Sequence, residues 1–517
     1  MTGAEILVRT LEEAGVRVVF GLPGVHNLPA WEALRTSSIR LIGVRHEQAA
    51  VYAADGYARA TGEVGVALVT TGPGAANTLG ATGEAWASRS PVVVIATDIP
   101  TSLKRPGVVG GALHEATDQR AMFAPVTKAT LRLDRPEALG EIAGACAQAL
   151  APPRRPVFVE VPTDVLSGDA GDGHAGAAGA LRRPDAPEVS GALEILAESW
   201  KPIVWAGSGA LDAGDPVIAL AERLGAPIFT TYSARGVAGD HPLAVGLPPH
   251  LPEAGALWDG ADVVVAIGSD LDGMSTMNVR LPSPRRLITV NVDPADASKN
   301  YMSHAAIEAD ARAGAMALAA ALPPGPKPWA DLPAIRAAAL DRLRAEHPEE
   351  LAFLDAFARA VPPGTIVVAD MCIPGYWLSA LHRPAGPRRF QYPMGWGTLG
   401  YAFPAALGAA VAGPTVSVSG DGGYGMLRFD QRHSGTETYG VDLATPDFAA
   451  LARAFDVTAE AVDGLGDAFG DALARHVADP QPSLLVARAA LTPPPTTSPR
   501  WHRQGPPAWK DPLAGLG

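Results

Sequence analysis

Two carboxylates stand out by their surroundings. Glu47 lies in Arg45-His46-Glu47-Gln48, and the alanine-rich run from Gln48 to Ala60 has the composition of a helix, so Glu47 falls in its first turn. A carboxylate there is favoured by the helix dipole, and its plainest role is that of an N-terminal capping glutamate. Asp421 lies in Ser419-Gly420-Asp421-Gly422-Gly423-Tyr424-Gly425-Met426, directly after the strand-like run Thr415 to Val418. A carboxylate held between glycines at the end of a buried strand suits a divalent cation and the diphosphate it neutralises. Its plain alternative is a strand-end Asp in an Asx-turn. A diphosphate–metal site also needs a second ligand and a nearby helix N-terminus, yet the chain runs at once into Gly-Tyr-Gly and a charged segment. Half a motif is present. His114 is a third candidate, since an imidazole can exchange protons near neutral pH, although a lone histidine is more often structural.

The elements that must position these residues share one grammar. An apolar strand-like run leads to glycine and then to an Ala/Leu-rich helical pattern, three times over. The first set holds Val64–Val69, Pro91–Ile95 and Val157–Pro162; the second Pro202–Gly207, Ala261–Gly268 and Leu287–Asp293; the third Thr365–Asp370, Thr415–Val418 and Ser483–Ala487. The expectation is an α/β protein of three doubly wound parallel-sheet domains, at 1–165, 190–322 and 350–490. Residues 166–190 and Leu322–Pro328 read as linkers, and 491–517 as a Pro-rich tail, extended or partly disordered.

At 517 residues the chain is too long for one core. Its formal charge of −13, with no Lys/Arg block, argues against a nucleic-acid or anionic-membrane surface and leaves small acidic metabolites open as ligands. Cys146 and Cys372 are the only cysteines, which excludes a disulfide framework and a cysteine-based zinc site. With no secretory leader and no apolar run long enough to span a bilayer, a cytoplasmic location is expected.

Taken in order, these motifs resemble the thiamin-diphosphate enzymes of the acetolactate synthase and pyruvate oxidase group. The likeness rests on Phe20-Gly21-Leu22-Pro23-Gly24, Arg45-His46-Glu47-Gln48, Asp55-Gly56-Tyr57-Ala58-Arg59 and Thr71-Gly72-Pro73-Gly74-Ala75-Ala76-Asn77. Farther along it includes Ser90-Pro91, Phe123–Lys128, Asn291-Val292-Asp293-Pro294, Gly395-Trp396-Gly397-Thr398-Leu399-Gly400 and Gly420-Asp421-Gly422. The resemblance implies an N-terminal pyrimidine-binding domain, a central domain, and a diphosphate- and magnesium-binding domain. It implies that Glu47 hydrogen-bonds the cofactor's aminopyrimidine, with Pro23, Gly24 and Asn77 beside it, that Leu399 supports the bent cofactor while backbone groups around Gly397 and Leu399 bind the aminopyrimidine edge, and that Gly420, Asp421 and Gly422 hold the diphosphate with Asp421 on Mg2+. The reaction implied is decarboxylation or carboligation of a 2-oxo acid such as pyruvate, in a homodimer or homotetramer whose site is shared between subunits.

Departures from the family pattern qualify this. Family members continue from Gly-Asp-Gly through a helix and a strand to a second metal ligand. Here about thirty residues are missing, the size of one helix-strand unit, so the third domain is expected to be shortened. Asp430 and His433 are poor substitutes, and weakened or absent cofactor binding is expected. Asp430 stands where acetolactate synthases carry a tryptophan, and His114, in Leu113-His114-Glu115, stands in place of a glutamine. Some members hold FAD in the central domain. Here Gly207-Ser208-Gly209-Ala210 lacks the third glycine of a dinucleotide fingerprint, and packing explains Arg235 and Asp293 about as well as a flavin would. Two other readings stand beside the enzyme: a non-catalytic homologue that lost cofactor binding through the gap after Asp421, and a flavin- or nucleotide-binding protein.

Overall fold

The computed structural model describes residues 1–105, 107–169, 171, 187–421, 424–442 and 444–497. The chain forms two compact units, residues 1–183 with 393–417, and residues 184–392 with 418–517.

In the first unit, β1 (Val18–Gly21), β2 (Arg40–Gly43), β3 (Gly65–Val69), β4 (Val92–Asp98), β5 (Ala129–Arg132) and β6 (Val157–Pro162) form one sheet in the order β2-β1-β3-β4-β6-β5. Every pairing is parallel, with Phe20 opposite Ala67, Leu68 opposite Ile95 and Ile95 opposite Val159. The central strands are buried along their whole length because helices cover both faces, which is why they read as continuous Val/Ile/Ala runs without alternation. Ile6, Leu7 and Leu11 pack on one face with Val19, Leu68, Val93, Ile95 and Val159. The strand order reverses between β1 and β3. Such a switch point opens a crevice at the carboxyl ends of the strands, where ligands of this architecture bind.

This unit also takes in the helix Ala402–Ala412, which packs on the helix Glu47–Thr61. The two backbones meet directly at small residues. A Cβ on Gly56 would lie 2.0 Å from Ala405 O, and one on Gly408 would lie 1.7 Å from Ala53 O.

The second unit holds β7 (Pro202–Ala206), β8 (Ile228–Thr230), β9 (Val263–Ile267), β10 (Leu287–Asn291) and β11 (Ala305–Glu308), again all parallel, in the order β11-β10-β9-β7-β8. Trp205 and Trp258 stand edge to face in its core, 5.4 Å between centroids. A third parallel region is in pieces. β12 (Ile366–Ala369) pairs with β13 (Phe390–Gln391), and Asp370 N–H donates to the carbonyl of Val418, the last residue of β14 (Thr415–Val418). The helix Tyr424–His433 follows soon after, and no strand lies among the described residues until β15 (Thr458–Asp463), which pairs only with β16 (Ser483–Arg488). Three parallel α/β regions are present, and the third is short of strands after Asp421.

The start of the tail is ordered. Thr492 N–H and Oγ1 both donate to Glu350 Oε1 at 2.7 Å, and Trp377 Nε1 donates to Thr492 O at 2.7 Å. No helix among the described residues is long and apolar enough to cross a membrane.

Candidate active site

Four loops leave the carboxyl ends of β1, β2, β3 and β4, and they carry the candidate residues together. After β2 the chain turns into a helix at Glu47, with His46 as N-cap: its Nδ1 accepts from Gln48 N–H at 3.2 Å. Since His46 does the capping, the Glu47 carboxylate is free for another role. It is only 9% exposed, and Asn77 Nδ2 donates to its Oε2 at 3.0 Å. Its Oε1 faces Gly74, where a Cβ would come within 3.5 Å.

Gly74 belongs to the turn after β3. A Cβ at Gly24, on the loop after β1, would lie 2.6 Å from the Thr70 side chain, and one at Gly74 would lie 2.6 Å from Thr70 Cγ2. Thr70 therefore sits between the two glycines, and its buried Oγ1 has no hydrogen-bond partner. Pro23 is exposed beside Gly24. Gly72 adopts φ +62°, in the left-handed region that favours glycine, and its N–H donates to Gln119 Oε1 at 2.7 Å. Gln119 Nε2 in turn donates to Thr97 O and to Glu160 Oε2, at 3.0 and 3.1 Å. Glu160 and Asp98 are both buried and share Arg132. Burial, then the Asp98 charge, pushes the Glu160 carboxyl above the usual range, against the pull of Arg132. A Cβ at Gly72 would also stand 2.6 Å from His114 O. His114, on the segment after β4, thus reaches the same turn as Glu47.

Gly397 and Leu399 belong to this unit too. Gly397 has φ +72°, Leu399 and Trp396 are exposed, and Trp396 lies over Gly83, where a Cβ would be 2.7 Å from the indole. A buried ionic clamp holds the segment. Arg59 Nε and Nη2 donate to the two oxygens of Asp55 at 2.9 and 2.7 Å, and Nη2 also donates to Glu84 Oε1 at 3.2 Å. Thr398 Oγ1 donates to Glu84 Oε2 at 3.3 Å, and the guanidinium lies 5.0 Å from the centre of the Tyr401 ring. Burial favours loss of the Arg59 proton, but Asp55, Tyr401 and Glu84 outweigh it and raise its pKa.

The residues expected to hold diphosphate and metal are less developed, and they fall in the second unit. Gly420 packs over Cys372, with a Cβ there 2.9 Å from Cys372 Cβ, and burial pushes the Cys372 thiol up to about 12. Asp421 is exposed, and the side-chain hydrogen bond it accepts among the described residues is a long one, from Thr445 Oγ1 to Oδ2 at 3.5 Å. Gly422 lies outside the described residues. Asp430 is exposed, and among the described residues no group of three or more His, Cys, Asp or Glu could hold a metal ion. Magnesium needs near-octahedral oxygen ligation, so this set falls short of the ion. The pyrimidine half is different: a dehydrated carboxylate with a fixed hydrogen bond, glycine walls and an orphaned Thr70 hydroxyl fit a flat, nitrogen-rich ring.

In the central region the glycine turn after β7 is spent on packing. A Cβ at Gly207 would lie 2.3 Å from Gly268 O, and Gly209 N–H donates to Gly268 O at 3.0 Å. Arg235 donates to the carbonyls of Ala380 and His382, and Asp293 caps the short helix Pro294–Ala297. These contacts account for the residues that had suggested a flavin.

Three sets of residues had no signal in spacing. His26 lies two residues past the Pro23-Gly24 turn, Gln119 meets Gly72 across 47 positions, and Glu84 meets Arg59 across 25.

Comparison with known proteins agrees with this division. Residues 1–122 match the model of the thiamine pyrophosphate enzyme N-terminal TPP binding domain, 189–318 its central domain and 372–431 its C-terminal TPP binding domain. The chain is 35% identical over 500 residues to a probable 2-ketoarginine decarboxylase, AruI, of Pseudomonas aeruginosa, covering 88% of each protein. It is 31% identical over 467 residues to a probable acetolactate synthase large subunit of Methanocaldococcus jannaschii, covering 82% of this chain and 76% of the relative. With the acetolactate synthase large subunit of Corynebacterium glutamicum it shares 30% over 475 residues, covering 86% and 74%. With all three domains matched in order, the chain belongs to the thiamine pyrophosphate enzyme family.

Proposed function

We propose that this chain decarboxylates a 2-oxo acid with thiamin diphosphate, the acyl carbon then leaving as an aldehyde or joining a second carbonyl. The observation that carries the reading is the Glu47 carboxylate, buried at a switch point and held by Asn77 against a glycine wall. When bound, thiamin diphosphate supplies the electron sink for the pair left behind as carbon dioxide departs. Glu47 would hydrogen-bond the aminopyrimidine in a dehydrated setting, where a charge-assisted contact is strong. Asn77 fixes the carboxylate's rotation, while Gly24, Gly72 and Gly74 keep the wall flat. Leu399, presented on a clamped segment, would support the cofactor's apolar middle with Gly397 beside it. Gly420 and Asp421 would be the residues on the diphosphate side, although the described residues around Asp421 are too few in oxygen ligands to hold Mg2+ by themselves. The substrate proposed is a 2-oxo acid, and the two to compare are pyruvate and 2-ketoarginine, the latter being the substrate in the name of the Pseudomonas aeruginosa relative. In this reading a homodimer is the smallest active assembly, which light scattering checks.

The test is consumption of each 2-oxo acid with cofactor and Mg2+ present. Wild type should release carbon dioxide, and Glu47→Gln should lose roughly 10²- to 10⁴-fold in rate, as when a positioned proton-transfer group is removed. Turnover retained in Glu47→Gln overturns the role of Glu47.

A further inference from the structure

The side chain of Gln119 is 1% exposed, and all of its amide is engaged. Oε1 accepts from Gly72 N–H at 2.7 Å, while Nε2 donates to Thr97 O at 3.0 Å and to Glu160 Oε2 at 3.1 Å. A carbonyl and an ionised carboxylate can only accept, so the NH2 group must face Thr97 and Glu160 and the oxygen must face Gly72. An apolar residue would fill this space without the desolvation of an amide. What the amide adds is a fixed acceptor for one backbone N–H.

Both ends of this bracket are anchored. Gln119 opens the helix Gln119–Phe123, whose N-cap Asp118 accepts from Ala121 N–H at 3.1 Å. Phe123 stacks on Phe158 with 3.8 Å between centroids, and Phe158 shares a face of β6 with Glu160. Arg132 holds Glu160 and Asp98 together, with Lys104 3.2 Å from Asp98 and Arg120 3.9 Å from Glu160. On the other side, Gly72 caps the short helix Pro73–Ala76, and its carbonyl accepts from Ala76 N–H at 2.9 Å. Asn77 ends that helix and donates to Glu47 Oε2 at 3.0 Å. Only residues 73–76 separate the N–H that Gln119 holds from the side chain that orients Glu47.

We propose that Gln119 is a positioning residue for Glu47: by holding Gly72 N–H it fixes the start of the helix Pro73–Ala76, and through Asn77 the rotation of the Glu47 carboxylate. This rests on the reading of the site as that of a 2-oxo acid decarboxylase. The turn needs an outside hold for two reasons. A helix leaves its first N–H groups without partners of its own. Gly72 also lies at φ +62° and ψ −108°, where glycine is free to move to other conformations. Glu160 acts one step further back, by setting which way round the Gln119 amide lies.

The test compares the full chain with Gln119→Met, which keeps the length of the side chain and removes its acceptor and donor. Without cofactor, hydrogen exchange over residues 70–79 is followed by mass spectrometry. It should quicken by roughly tenfold in Gln119→Met, the worth of one hydrogen bond, while β3 keeps its protection. Unchanged exchange over 70–79 overturns the bracket. With thiamin diphosphate, Mg2+ and the 2-oxo acid, kcat should fall by roughly 10- to 10²-fold with KM little changed, as for a displaced reacting group. An unchanged kcat in the folded variant, even with a lowered Tm, overturns the positioning role.

Gln119→Glu gives a second reading that does not depend on Gln119→Met folding. The new carboxyl still accepts from Gly72 N–H, but it faces Glu160, with Asp98 adding like charge and Arg132, Lys104 and Arg120 opposing it. Two carboxyls so placed share one proton, which restores the donor at low pH and is lost as pH rises. In this variant kcat should therefore fall with rising pH along a limb that wild type lacks, and a profile parallel to wild type overturns the proposal. A wild-type chain that consumes no 2-oxo acid overturns the decarboxylase reading and with it the positioning role, while the exchange result still shows whether Gln119 holds the turn.

Discussion

Glu47 owes its position to a change of direction. The chain leaves β2, His46 takes over the capping, and the next carboxylate is left buried with Asn77 as its donor. Replacing Asn77 by Ala should therefore lower kcat/KM for the 2-oxo acid by roughly tenfold, the worth of one hydrogen bond to a charged group, with little change in Tm. A larger fall in Tm than in rate would mean that Asn77 is structural. Arg59 makes the opposite prediction. It neutralises Asp55 and Glu84, both fully buried, so Arg59→Met should cost about 3–5 kcal/mol in denaturant unfolding, because it leaves buried charges without their cation. At this scale the sequence announced Glu47, Asn77 and Gly24 through motifs whose order along the chain resembles one family. It did not announce His26 or Gln119. A histidine beside a glycine turn has many uses, and a glutamine bound to a backbone N–H 47 residues away leaves no local period.

The central strands were legible because they are short Val/Ile runs buried on both faces, as in Val92–Asp98, whereas the more exposed β2, β5, β11 and β15 have no such run and were not read as strands. The helix contacts were not. The helix Ala402–Ala412 is apolar on every side, so its pattern cannot say which face meets a neighbour, and only Gly56 and Gly408 reveal how close that neighbour comes. Gly408→Val should force the backbones apart and destabilise by about 1–3 kcal/mol or more. The displaced 393–401 segment, which carries Leu399, should weaken cofactor binding as well, and unchanged affinity would argue against Leu399 as support. The helix Ile373–Leu381 gives a pH prediction. His382 at its C-cap packs on Phe357 and Phe390, and burial, helped by the nearby Arg235 charge, holds its pKa down to about 4. The unfolded chain takes up that proton near 6.5 while the folded chain does not. Stability from this residue is therefore present above pH 6.5 and lost as pH falls from 6.5 toward 4, by on the order of 3 kcal/mol. His382→Gln should flatten that part of the stability–pH curve, and an unaltered slope would place the titration elsewhere.

Across the whole chain, three parallel α/β regions follow the family's order, and the family's site residues divide unevenly in how fully they are built. Glu47, Asn77 and the glycine turns are packed and hydrogen-bonded, whereas Asp421 is exposed and no metal-holding group forms around it among the described residues. This was legible as a gap of about thirty residues, the length of a helix-strand unit, because the family pattern resumes at once beyond it. What the remaining strands would do was not legible, since β15 and β16 pair with each other and, among the described residues, with no other strand. With so little coordination, omitting Mg2+ should change cofactor affinity by less than about tenfold, or 1.4 kcal/mol. A strict metal requirement would show that the ligands assemble on binding. The most direct test is calorimetric titration of thiamin diphosphate into the intact chain with Mg2+ present. A saturable isotherm is predicted, retained in Glu47→Gln while that variant's 2-oxo acid consumption is lost; no saturable heat in the wild-type chain would contradict it.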